Sequence, residues 1–457
     1  MAIVMVSVGS CLGVPVNSML DAQGQTPQRF IPVFTWYYYD ITTSEQEAAL
    51  SRYNFSDVTR SSHKDHLGRN TWEVIRSLNP AHEIYLYEFS YGPYDFQDRY
   101  SAVDLNTISR WNDSRGHSMG NLNKDHPEFF LLDSKGGRIR DSYGVWVMDI
   151  GLQAYVDYWV EAVMADIIKM PWKADGVYVD GPSFLLPQFS AVPVKYPTTE
   201  KWSSAAISFI RGVTSALKKK DVKVWFNVGE TRSLRGQANW TFLDSLDDRP
   251  DILMEEGMFA TRYNNYFVAF CPEDACKNAI DTMQSIKKIR VAMSSNVNAL
   301  PGDTGIDNFG KQVTYWDALY FALTCFLLGK NTVDNNSYFS WHDNSKTVVW
   351  VDEFSINLGN AVGNYQVTKY GAVNVYWREY QSGYVYVNLS DRDLSGINLP
   401  GPCRRVTHDN VLNPFEDSII PTLDLPAHRG AILIKPSVTS WRSIQLPAGM
   451  RAVPQTL

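Results

Sequence analysis

The sequence predicts an α/β protein of two domains, a (β/α)8 TIM-like barrel followed by a C-terminal antiparallel β-sandwich. From about Arg29, short apolar runs rich in β-branched and aromatic residues alternate with amphipathic stretches of helical period, the βα repeat of a parallel sheet. After about Asn344 the period drops to two and no helix of note follows. The length of 457 residues, with 44% hydrophobic and 20% charged, is ordinary globular composition and exceeds one average domain. The same βα alternation is compatible with a doubly wound open sheet, so closure into a barrel is an expectation for the structure to decide.

Residues 1–28 form a leader or signal-like segment, apolar and rich in small residues but short and without a basic start. Residues 29–343 make the barrel, with strands expected at 30–37, 83–89, 176–180, 222–228, 251–256 and 289–294. Between them, 152–169 carries Tyr155, Trp159, Val163 and Ile167 on one stripe, and 203–219 repeats this with Ile207, Ile210, Val213 and Leu217. Residues 317–328 are apolar enough to lie wholly inside. The stretch 127–150 reads as a strand, a Gly-Gly turn and a second strand. Residues 344–436 are the sandwich, with strands at 347–351, 373–380, 384–388, 405–407 and 431–435, and 437–457 is an irregular tail. The domain boundary is expected between Asn335 and Tyr370.

The net charge of −7 is spread along the chain, and the longest basic run, Lys218 to Lys220, ends an expected helix, so no nucleic-acid partner is expected. No stretch reaches the ~18 apolar residues of a membrane span. Five cysteines are too few and too scattered for a disulfide framework or a zinc site, although Cys271 and Cys276 could close a small loop. Sequons at Asn54, Asn112, Asn239, Asn335 and Asn388 permit glycosylation of a secreted or cell-surface protein. Aromatic residues make up 13% of the chain, including 14 Trp and 25 Tyr, and many stand at strand ends. Such rings suit a carbohydrate partner, because the C–H face of a pyranose stacks on an aromatic plane.

In a parallel barrel the functional groups stand at the carboxyl ends of the strands. Asp180 closes the run 176–180 directly before Gly181-Pro182, a turn and not a helix start, so a capping role does not account for it. Asn227 and Glu230 follow the strand 222–228, and Glu230 reads equally as a carboxylate stabilised by a helix start. Glu255 and Glu256 close 251–256, and because side chains alternate only one of them can point along the barrel axis. Two convergent carboxylates, one ionised and one protonated, are what glycosidic bond cleavage requires. The candidate catalytic residues are therefore Asp180 as nucleophile and Glu256 as acid/base, with Glu230 as the substitute for the second role. The candidate substrate-binding residues are Trp36, Tyr38, Glu88, Tyr91, Asp149, Asn227, Glu255 and Asn296, with Trp36 alternatively a core plug. No nucleophile elbow, zinc-protease helix or P-loop occurs, and His63 and His66 read as polar surface, so no metal and no cofactor is expected.

Several short motifs resemble a family of glycoside hydrolases with a TIM-barrel catalytic domain and a C-terminal β-sandwich, of the hypothetical glycosyl hydrolase type. They are His-Pro-Glu-Phe-Phe at 126–130, Asp-Ser-Lys-Gly at 133–136, Met-Asp-Ile-Gly at 148–151 with Tyr158-Trp159, and Asp-Gly-Val-Tyr-Val-Asp at 175–180. Glu256-Gly257, Trp-Arg-Glu-Tyr at 377–380 and Tyr-Val-Tyr-Val-Asn-Leu-Ser at 384–390 complete the set, which spans residues 30 to 436. The resemblance implies O-glycosyl hydrolysis of a polysaccharide or oligosaccharide. The family's strand-four Asp falls on Asp180 and its strand-six Glu on Glu256, where the preceding Glu255 departs from an apolar consensus. A strand-five Glu of related barrels falls on Glu230. Fold alone does not establish activity, so the alternative is a catalytically inactive carbohydrate-binding barrel; a transglycosylase or metal-assisted lyase is a third possibility.

Overall fold

The structure is a computed structural model, and it describes residues 31–37, 43–58, 67–92, 122, 125–142, 144–169, 172–262, 266–297, 299–331, 336–342, 350–411 and 418–438. Eight parallel strands pair in chain order: β1 (Phe34–Tyr37), β2 (Phe55–Val58), β3 (Glu83–Phe89), β4 (Gly176–Asp180), β5 (Lys223–Asn227), β6 (Ile252–Glu255), β7 (Arg290–Asn296) and β8 (Ser337–His342). A parallel bridge between Val33 and Phe339 returns the last strand to the first, and Phe339 N–H donates to the Pro32 carbonyl at 2.9 Å. The sheet is thus a nearly closed TIM-like barrel. An open doubly wound sheet would leave these two strands on opposite edges.

Strand alternation sorts the side chains. Phe34, Trp36, Phe55, Tyr85, Tyr178, Trp225, Ile252, Met254, Ala292 and Tyr338 meet inside the barrel. Trp225 sits centrally, edge-on to Phe55 at 4.9 Å and to Tyr178 at 4.5 Å. At the amino-terminal end of the strands, Glu83 accepts from Lys223 at 2.7 Å and from Arg290 at 2.8 Å, which closes that end with paired charge. The arginine and lysine beside it hold the Glu83 carboxyl below its usual range against the opposing effect of burial.

Outside the strands lie α1 (Ser44–Ser51), α2 (Thr71–Leu78), α3 (Gln153–Lys169), α4 (Thr199–Lys218), α5 (Leu234–Ser245), α6 (Glu273–Ser285) and α7 (Tyr315–Gly329). Thr43, Asn70, Thr198, Ser233 and Thr314 each accept from a first-turn N–H, which explains why these helices begin where they do. The expected stripes are present in α3, where Tyr155, Trp159 and Val163 are buried, and in α4, where Ile210, Val213 and Leu217 are buried. Strands β2 and β8 escape the sequence pattern because Ser56, Asp57, Ser337 and Ser340 interrupt their apolar runs; all four are buried, and Ser56 meets His82 Nε2 at 3.0 Å. The stretch 127–150 is not the regular hairpin expected. It opens with a 3-10 turn and continues through isolated antiparallel bridges, Phe130 to Met148, Leu132 to Arg138 and Arg140 to Trp146. The Asp133 carboxylate, accepting from the N–H groups of Lys135 and Gly137, folds the first bend tightly.

The second unit contains β9 (Gln366–Tyr370), β10 (Val373–Glu379), β11 (Gly383–Asn388), β12 (Leu394–Val406), β13 (Ile420–Leu425) and β14 (Arg429–Ile434). They form one antiparallel sheet in the order β9-β10-β11-β14-β12-β13. Register shifts within β12 let it pair with β14 near one end and β13 along the other, so the sheet curls over its own cluster of Val375, Tyr384, Tyr386, Ile397, Leu423 and Leu433. The continuity of β12 is why the unit is a curled antiparallel sheet and not two separately facing sheets. Its other face shares the core of the barrel's helical shell, with Val385, Val387, Ile432 and Ile434 in the same cluster as Leu323 and Leu327 of α7. Arg378, buried, donates to the carbonyls of Leu327, Leu328 and Lys330 at the end of α7, where a cation complements the helix dipole.

Cys271 and Cys276 are bridged, with Cα atoms 5.6 Å apart. The sequon at Asn388 is not available to a glycan in the folded chain: the residue is fully buried and its amide donates to the carbonyls of Arg392, Leu425 and Pro426. Asn112, Asn335, the leader of residues 1–28, residues 347–349 of the strand expected at 347–351 and the tail beyond 438 lie outside the described residues, and residues 350–351 of that expected strand are not in a strand. Among the described residues no helix is long and apolar enough to cross a membrane.

Candidate active site at the barrel mouth

Four adjacent strands build the site by parity. On β4, Val177 and Val179 pack outward against helices, leaving Tyr178 and Asp180 to face inward. On β5, Val224 and Phe226 pack outward while Trp225 and Asn227 face inward. On β3, Ile84 and Leu86 are outward and Tyr85 and Tyr87 inward. On β6, Leu253 is outward and Ile252 and Met254 inward, which turns Glu255 outward and brings Glu256, just past the strand, to the mouth.

Register then places the groups in contact, because Asp180 stands opposite Asn227 in the β4–β5 ladder and Asn227 opposite Met254 in the next. Asn227 Nδ2 donates to Asp180 Oδ1 at 3.0 Å and to Glu256 Oε2 at 3.0 Å. Those two carboxylate oxygens therefore lie no farther apart than two such bonds laid end to end. Tyr87 OH donates to Asp180 Oδ2 at 2.8 Å.

The electrostatics follow from this crowding. Burial, then the neighbouring Asp180 charge, pushes the Glu256 carboxyl up to about 7, against the Asn227 hydrogen bond. Glu256 is nevertheless exposed as a residue, so its carboxyl stands at the barrel mouth, held by Asn227, and is open to solvent on one side. Burial also raises Asp180, opposed by Tyr87, Asn227 and the Gly181 N–H, which all favour its ionised form. Glu256 is thus the group set to hold a proton near neutrality, and Asp180 is the one supplied with donors.

The remaining sequence candidates fall in different places. Glu255 is buried; it accepts from Thr231 N–H at 2.7 Å and pairs with Arg232 at 3.4 Å, so it ties the β5–α5 loop to β6. Arg232 also donates to the Gly257 carbonyl at 2.6 Å, holding the peptide next to Glu256. Glu230 sits in that loop at φ 72°, beside Arg235 at 3.5 Å, and no hydrogen bond joins it to Asp180 or Glu256 among the described contacts. A non-glycine residue at positive φ is strained, and the close approach of Gly236 to the Glu230 carbonyl, where a Cβ would stand 1.7 Å away, shows how tightly the loop is pinned.

Asn296 accepts from Thr261 Oγ1 at 2.7 Å and from Arg262 N–H, fixing the segment that follows Glu256. Trp36 is buried among the interior aromatics, and Tyr91 packs against Phe89 beside Gly181. Asp149 is held by Lys195 and Tyr196, and among the described contacts none joins it to the carboxyl pair. Glu88 is fully buried and has the parity of the outward face. Tyr38 lies outside the described residues, as do His63 and His66.

Tyr87 is the site residue that the acid-at-strand-end rule missed. Its parity with Tyr85 along β3 is the signal that selects it over Glu88. Asp57, 1% exposed on β2, is a further buried carboxylate of the barrel that the sequence alone does not single out, set by register between Trp36 and Tyr85. Among the described residues no group of three or more His, Cys, Asp or Glu converges as metal ligands.

A family model described as hypothetical glycosyl hydrolase family 15 matches residues 76–384. The comparison with curated proteins finds no match. Among solved structures the chain is similar to an alpha-glucosyl transfer enzyme, XgtA, at 10% identity over 90% of this chain and 100% of that one, with a TM-score of 0.49. It is also similar to the type III pullulan hydrolase from Thermococcus kodakarensis, at 9% identity over 89% and 82%, with a TM-score of 0.44. A third likeness is to the noncanonic maltogenic alpha-amylase AmyB from Thermotoga neapolitana, at 10% identity over 90% and 98%, with a TM-score of 0.41.

Proposed function

The chain belongs to hypothetical glycosyl hydrolase family 15, and from this premise we propose that it hydrolyses O-glycosidic bonds of a polysaccharide or oligosaccharide by a two-carboxylate retaining mechanism. The observation that carries the reading is the single amide nitrogen of Asn227 donating to both Asp180 and Glu256. Such a span fits the ~5–5.5 Å between carboxyls of retaining enzymes better than the roughly 6.5–9.5 Å that leaves room for an inverting water. Asp180 attacks the anomeric carbon as the bond to the leaving oxygen breaks, and Glu256 gives that oxygen its proton. Water then displaces Asp180 from the anomeric carbon while the Glu256 carboxylate takes the water's proton, which restores both groups. Glu256, raised to about 7, is protonated at the start of such a cycle.

Residues 29–343 are taken as the catalytic unit and 344–436 as an accessory sheet. Trp36 and Tyr91 are buried, which favours the core-plug reading of Trp36 over a sugar-stacking one, while Asn296 and Glu255 hold the segments on either side of Glu256. A secreted or cell-surface location is supported by the Cys271–Cys276 bridge, since disulfides persist in oxidising compartments. The test is a panel of polysaccharides with reducing-end detection, together with 4-nitrophenyl glycosides of both anomers and NMR of the first-formed sugar. Hydrolysis with retention, lost in Asp180→Asn, is expected. No cleavage across the panel, or an Asp180→Asn variant as fast as its parent, overturns the reading.

A further inference from the structure

We propose that Tyr87 is a positioning residue that divides the work of the two Asp180 oxygens, holding Oδ2 through its hydroxyl and leaving Oδ1 as the attacking atom. The inference rests on the two-carboxylate reading above. Tyr87 and Tyr178 are register partners in the β3–β4 ladder, and their rings pack at 5.6 Å. That packing aims the Tyr87 hydroxyl past Tyr178 to the strand end, where it meets Oδ2 at 2.8 Å. Oδ1 faces the other way, toward the Asn227 nitrogen that also holds Glu256. A sugar held between the two carboxyls therefore meets Oδ1, the oxygen on the Asn227 and Glu256 side of the carboxylate.

When Oδ1 bonds to the anomeric carbon, the leaving oxygen departs with the bonding pair and takes the Glu256 proton. Oδ2 becomes the carbonyl oxygen of the ester and continues to accept from Tyr87. In the second half water attacks the anomeric carbon, the pair of the ester bond returns to Oδ1, and Glu256 takes the water's proton. Tyr87 thus touches the oxygen that does not react and keeps the carboxylate plane from turning. The titratable groups around Asp180 are Tyr178 on its own strand, Tyr87 on β3, Glu256 after β6 and, beyond Tyr178, Asp57 on β2. The groups that favour its ionised form are neutral donors, namely Tyr87, Asn227 and the Gly181 N–H. Losing one of three such donors raises the proton affinity of the carboxylate.

Tyr87→Phe removes the hydroxyl and keeps the ring. The probe that needs no substrate is carbon-13 NMR of protein labelled at aspartate carboxyls, with the Asp180 signal identified by its loss in Asp180→Asn. Asp180 is expected to titrate about one pH unit higher in Tyr87→Phe. On the 4-nitrophenyl glycoside that the unaltered protein cleaves fastest, the acid limb of kcat/KM moves up with it and the neutral-pH rate falls about tenfold. An unmoved titration overturns the inference and leaves the hydrolase reading standing. A moved titration in a protein that cleaves nothing in the panel overturns the hydrolase reading, and with it the attacking role of Oδ1.

Discussion

Asp180 and Glu256 accept hydrogen bonds from one and the same nitrogen, Nδ2 of Asn227, at 3.0 Å each. Two carboxyls so close titrate as a pair, and the proton taken up first favours ionisation of the partner. Tyr87 and the Gly181 N–H add donors on the Asp180 side alone, which breaks the symmetry of the pair.

Asp180→Asn is expected to abolish turnover with the fold intact, because the amide is isosteric and cannot attack. Glu256→Gln is expected to lose about 10²–10⁴ in kcat on substrates whose leaving group needs a proton. Glu230→Gln, at the strained loop position paired with Arg235, is expected to stay within about tenfold of the parent. Steady-state rates of the three variants on one substrate check this, and a Glu230 variant slower than the Glu256 variant would reverse the assignment.

The pH profile should fall on its alkaline side near the Glu256 value of about 7, as the acid loses its proton. For stability the sign is the reverse of an ordinary paired carboxylate. The folded protein keeps a proton that the unfolded chain releases from its usual 4.5 upward, so this group's contribution to stability falls as pH rises from about 4.5 through about 7. Glu256→Gln has no such loss. Its melting temperature relative to the parent should therefore rise across that window, measured by calorimetry at several pH values.

Arg378→Met should cost about 3 kcal/mol, because the carbonyls of Leu327, Leu328 and Lys330 lose their buried cationic donor. Urea unfolding measures it. A loss under about 0.5 kcal/mol would mean that the sheet is not held to α7 through this residue.

Replacing Cys271 and Cys276 together by Ser should cost about 2 kcal/mol, the chain-entropy value for a loop this short. Reductant should destabilise the parent by a similar amount and leave the double variant unmoved, as read by thermal melts with and without a thiol.

Strand identity and strand ends were legible in the sequence because alternation and apolar runs are local properties: Asp180 closing 176–180 and the carboxylates closing 251–256 stand where parity and burial put them. The helices of 153–169 and 199–218 were legible for the same reason, since their buried stripes recur within a few residues. Closure of the barrel was not, because it depends on Val33 meeting Phe339 far along the chain, and β2 and β8 hide behind buried serines and an aspartate that only surrounding structure can accommodate. The choice of Glu256 over Glu255 as acid/base comes from the sequence, but alternation alone leaves open which of the two faces inward, and it does not prefer Tyr87 to Glu88. Each choice turns on which face of a strand points inward, and that is set by pairing with neighbours remote in sequence. The two-donor bridge of Asn227 belongs wholly to the tertiary structure, because it exists only once register has set the ends of β4, β5 and β6 side by side.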